Sequence, residues 1–114
     1  MSAPSRSSSD SKSLIARIWR GSTSSSRADE YAAYLERTGV RECRETPGNR
    51  GVFVLRRVVR DRADFTFISL WDSFDAIRRF AGEDYERARY YPEDRDFLIA
   101  LDPFVEHHDV IARV

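Results

Sequence analysis

The 114-residue sequence holds a single cysteine, Cys43, and a single lysine, Lys12, among its 19 basic residues. One thiol excludes an internal disulfide and fits a reducing cytoplasm, so the expected location is cytoplasmic. Cys43 lies in the charged stretch RECRE (41–45) and reads as an incidental surface thiol. No apolar run approaches the roughly 18 residues of a membrane span, and the N-terminus lacks the apolar core of a signal peptide. Basic and acidic residues balance at 19 each, so no overall field points to nucleic acid or to an anionic membrane. No phosphate-binding glycine loop, dinucleotide fingerprint or zinc pattern of cysteines is present, and neither cofactor nor metal is expected. The length allows one core and one domain.

The sequence opens with MSAPSRSSSDSKS (1–13), which has no large apolar side chain to offset the entropy of ordering and reads as a disordered Ser-rich tail. A folded domain is expected over 14–114. Alternation predicts a first strand over Leu14–Arg20, with Arg17 on one face between Ile15 and Trp19. An arginine so placed needs a partner, either a structural carboxylate or an anionic group on a ligand. A polar loop, Gly21–Ser25, leads to a weak capping box at Ser26 and Asp29. The helix that follows carries an apolar stripe of Ala28, Tyr31, Ala32, Tyr34 and Leu35, and Gly39 is expected to close it. Val52–Val59 and Phe65–Trp71 read as antiparallel neighbours. The second of these runs almost without a loop into a helix capped at Asp72 or Ser73 and stopped by Gly82. Asp84–Tyr91 reads as a further helical turn or two, Pro92–Leu101 as another helical start, and Phe104–Ile111 as the last strand.

Strand, helix, strand, strand, helix, strand is the ferredoxin-like βαββαβ order, an α+β fold with a four-stranded antiparallel sheet. Both helices then cover one face. Strands two and three are apolar on both faces, with Phe53 and Leu55 opposing Val52 and Val54. The bare face is too greasy for a monomer, and a homodimer burying on the order of 1,600 Å² is expected.

LIARIWRG at the first strand, TPGNRG before the second and the joint SLWDSFDAIRRFAG, with YYPEDRDFL and VEHHDV behind them, resemble the antibiotic biosynthesis monooxygenase-like (ABM) proteins, which form dimeric α/β barrels. The resemblance covers roughly residues 14–113. It implies an aromatic substrate held between sheet and helices, with Trp71 lining the pocket, and oxygenation of a polyphenolic or anthrone-like compound by dioxygen without flavin or metal. Such chemistry needs a dry pocket, a base, and donors for developing negative charge. Trp71, Arg17, His107 and His108 are the catalytic candidates, Arg17 to stabilise an anion and either histidine as base. Trp19, Tyr31, Phe67, Tyr90 and Tyr91 are the substrate-binding candidates. Neighbouring residues on a strand face opposite ways, so His107 and His108 cannot clamp one metal together. Relatives that degrade haem use an asparagine on the first strand and a histidine on the helix after the tryptophan; this sequence has neither there. A non-catalytic dimeric binding protein and an accessory subunit are the other readings, since a fold alone does not fix a function.

Overall fold

The computed structural model describes residues 13–114. The predicted disordered tail, residues 1–13, falls outside the described residues except for Ser13. The elements are β1 (Leu14–Ser24), α1 (Ala28–Leu35), α2 (Arg41–Glu45), β2 (Asn49–Val59), β3 (Arg62–Trp71), α3 (Phe74–Ala81), α4 (Asp94–Phe97), β4 (Leu98–Leu101) and β5 (Glu106–Val110). The strands form one antiparallel sheet in the order β2-β3-β1-β4, with β5 also beside β1. β5 pairs with Leu14–Ile18 and β4 with Gly21–Thr23, so the two short strands share one lane at the sheet edge. This is the ferredoxin-like arrangement, its fourth strand split in two.

β3 lies between β1 and β2 and explains why the sheet has a dry side. Phe65, Phe67, Ser69 and Trp71 are buried, while Thr66 and Ile68 on the other face are half-buried. Register carries this alternation across the sheet. Trp19 stands beside Phe67, and Ile15 beside Trp71. Tyr31, Tyr34 and Leu35 of α1 and Ile77 of α3 are buried in the same core. The Ser73 hydroxyl accepts a hydrogen bond from the Ala76 amide at 3.1 Å, which caps α3. Gly82 ends it at φ 89°, a left-handed conformation that glycine adopts without a Cβ clash.

Several elements depart from expectation. Residues 21–24 are strand rather than loop, because they find partners on both sides in β3 and β4. Ser26 makes no cap: residues 25–27 form a 3₁₀ turn, and Asp29 pairs with Arg56 at 2.7 Å. Gly39 does not end the first helix. The chain continues through a π-helical stretch, Glu36–Val40, into α2, with the Thr38 hydroxyl bonded to the Tyr34 carbonyl at 2.8 Å. Gly39 is there for closeness, since a Cβ on it would stand 3.3 Å from the Phe67 ring. Cys43, expected at the surface, is fully buried in α2, and burial raises its pKa to about 12. Residues 84–91 are not helical. Their backbone pairs instead with the segment before β5, through Ala88 N to Pro103 O at 2.9 Å and Val105 N to Glu86 O at 2.8 Å. The helical start at Pro92 lasts one turn, α4, before the chain becomes β4. No helix among the described residues is long and apolar enough to cross a membrane.

Candidate functional site

Beneath the helices one cross-strand row is polar. Register sets Val52, Ser69, Arg17 and His107 side by side on β2, β3, β1 and β5. Ser69 accepts a hydrogen bond from the Trp71 indole at 2.8 Å. Arg17 is 5% exposed. Its Nη2 donates to the carbonyls of Tyr85 and Arg87 at 3.3 and 3.1 Å, and its Nε is buried without a partner. The guanidinium lies 5.5 Å from the centre of the Phe80 ring. Burial lowers its pKa to about 10, which still leaves it protonated at neutral pH.

Arg17 lines a hollow between sheet and helices. Trp19, Tyr31, Leu35, Phe67, Phe80, Tyr90, Tyr91 and Val105 supply most of its wall, with Thr38 and Gly39 of the π-helical stretch, Arg89 and Asp94. Its atom-free space is about 480 Å³ counting the open mouth, and about 50 Å³ of it accepts the centres of water-sized spheres. A space of that kind holds a few waters. Arg89 of the lining is paired with Glu42 at 2.8 Å and is 39% exposed in its side chain. Polar hydrogen bonds tie the wall together: the Trp19 indole donates to the Tyr90 hydroxyl at 2.6 Å, and that hydroxyl donates to the Asp102 carbonyl.

Burial raises the pKa of Tyr31, Tyr90 and Tyr91, and that of Tyr34 to about 12. Neutral phenols donate hydrogen bonds and do not serve as bases near neutral pH. Asp94 is the carboxylate in the wall. It is buried, it accepts from the Tyr91 amide at 2.5 Å, and burial raises its pKa. The buried hydroxyl of Tyr34 stands near it without completing a hydrogen bond.

No protein-family profile matches this sequence, and no curated protein matches it. Solved structures do. A proposed antibiotic biosynthesis monooxygenase from Bacillus cereus superposes with a TM-score of 0.60 at 15% identity, over 89% of this chain and 96% of that one. SnoaB, a cofactor-independent oxygenase from Streptomyces nogalater, gives 0.55 at 21% identity over 89% and 94%. MhuD, a heme-degrader from Mycobacterium tuberculosis solved with two hemes in its active site, gives 0.56 at 16% identity over 88% and 98%. The chain has the ABM fold.

Within this ABM fold, Arg17, Trp19, Tyr31, Phe67, Tyr90 and Tyr91 come together around the hollow, while three other predicted site residues stand elsewhere. Trp71 is wholly buried behind the wall, its ring 5.5 Å from that of Phe80. His107 is on the helix-covered face but outside the lining, its ring 5.4 Å from Phe74 and 5.5 Å from Tyr85. His108 points to the bare face, exposed, with Nε2 3.0 Å from Glu106. Sequence reasoning missed Asp94 and Arg89. Asp94 sits behind Pro92 in PEDRDF, where an acid reads as an ordinary helix-start residue. No cluster of three or more metal-ligating side chains occurs among the described residues.

Burial beside Arg17 lowers the His107 pKa from 6.5 to about 4, and its Nε2 has no partner. The native state therefore favours the neutral ring, while the unfolded chain binds a proton below pH 6.5. Its contribution to stability is complete above the unfolded value and is lost as pH falls from 6.5 toward 4. Urea titrations across this window are expected to show wild type losing more stability than His107→Phe; parallel losses would remove the assignment.

Proposed function

We propose that this protein is a cofactor-independent monooxygenase-like enzyme acting on an aromatic or polyphenolic small molecule bound between sheet and helices. The observation that carries this reading is the hollow itself: an aromatic wall with a buried cation and a buried carboxylate in the same lining. An anthrone-like substrate loses a proton from the carbon opposite its carbonyl to Asp94. The resulting anion passes one electron to dioxygen, and the two radicals combine to a peroxide anion that takes the proton back from Asp94 as a hydroperoxide. Loss of water leaves the quinone, so one dioxygen yields one new carbonyl and one water. Burial that raises the Asp94 pKa makes it a stronger base than an ordinary carboxylate. The Tyr91 hydroxyl, buried without a partner, donates to the developing oxyanion, which also feels the positive potential of Arg17. His107 and His108, considered as bases from the sequence, lie outside the lining and suit that role less well.

The protein works as a homodimer in this reading. Phe53 and Leu55 on the bare face are 56% and 50% exposed, and Ile68 and Ile18 continue the row from Phe53 across the sheet. Two such faces packed together hide them. The same exposed residues also favour a second reading, an accessory subunit whose bare face meets a different chain.

Oxygen uptake with an anthrone is expected from wild type and should fall about 10²-fold or more in Asp94→Asn. The rate should rise with pH through the raised Asp94 pKa, because only the carboxylate accepts the proton. Binding without uptake would favour a ligand-holding protein instead. Sedimentation equilibrium at micromolar concentration is expected to give twice the 13.2 kDa chain mass, reduced by Leu55→Arg. A strictly monomeric wild type would rule out the dimer.

A further inference from the structure

We propose that the ligand of this hollow is an aromatic acid, with its carboxylate at Arg17 and its ring among Trp19, Tyr31 and Phe67. This rests on the reading of the hollow as an aromatic-ligand site and adds the charge that the ligand carries.

Other arginines of this chain meet their acids at the surface. Arg50 pairs with Asp72 at 2.8 Å, Arg62 with Asp64 at 2.8 Å, Arg78 with Asp75 at 2.7 Å and Arg89 with Glu42 at 2.8 Å. Those pairs lie at the surface, where water would have served nearly as well. Arg17 is the buried one, at 5% exposure, and among the described residues no acid pairs with it. Two backbone carbonyls take Nη2, and the face of Phe80 lies alongside. They offset part of the desolvation, but neither carries a negative charge. Nε remains enclosed and unbonded.

The neighbours do not supply the missing charge either. His107 and Ser69, which flank Arg17 in the polar row, are neutral. Arg89 stands over the same Phe80 ring, at 5.2 Å from its centre, and its partner Glu42 serves Arg89 itself. Asp94 lies with the tyrosines, so an acid bound the other way round would bring two carboxylates together. A neutral phenol would leave Arg17 uncompensated. A carboxylate is ionised at neutral pH without help from a base and supplies the counter-charge at once.

Anthracene-2-carboxylate and its carboxamide have nearly the same shape and report binding by their own fluorescence. Titrated into the wild-type protein, the acid is expected to bind about tenfold or more tighter than the amide. In Arg17→Met, which keeps an unbranched side chain of similar reach, that preference should disappear. If the variant does not fold, the comparison of acid with amide on wild type decides alone. An amide that binds as tightly as the acid overturns the proposal and leaves the aromatic-ligand reading standing. Failure of both to bind overturns the two together.

Discussion

A sheet roofed by helices on one side only must sort its side chains strictly by strand period, and this sorting governs the molecule. On β3 it sends Phe65, Phe67, Ser69 and Trp71 inward. On β1 it sends Ile15, Arg17 and Trp19 inward, and pairing aligns the two sets residue by residue. Arg17 thus reaches a dry interior because it occupies an inward position, flanked by apolar neighbours on its own face. A one-residue slip would turn the guanidinium to the bare face and bury Ala16 and Ile18 instead.

The helical chain is least regular beside the hollow. Thr38 bonds back to Tyr34, the backbone loosens into a π-helical stretch, and Gly39 lets it approach Phe67 without a side chain between them. Thr38 and Gly39 line the hollow there. Irregular helical turns of this kind recur at functional sites. The opposite wall comes from residues 85–91, held in place by backbone bonds to the segment before β5 and by the Arg17 contacts to two of its carbonyls. The same arginine therefore anchors the wall and leaves charge for the cavity.

Strand positions were legible in the sequence wherever alternation was strong, as in β1 and β3, and so was the capped start of α3. Six of the nine site candidates, named through the family resemblance, line one hollow. Where it failed, tertiary contacts had the deciding role. Cys43 looks exposed among four charged neighbours, yet helix α2 turns it onto the core. Residues 84–91 have helical composition, but pairing with Pro103 and Val105 holds them out of a helix, as a turn and an irregular run. Asp94 carries no local mark of burial; it becomes a buried acid beside Tyr31 and Tyr34 of α1 and the Tyr91 amide. Trp71 shows the converse, an aromatic at a prominent joint that the packing takes entirely for the core.

The account stands on whether a ring system enters the space under the roof. Nuclear Overhauser measurements on the protein with a bound two-ring aromatic such as 1-naphthol test this directly. Contacts from the ligand to the Tyr31, Phe67 and Tyr90 rings are the predicted result. Contacts confined to Phe53 and Leu55 on the bare face would contradict it.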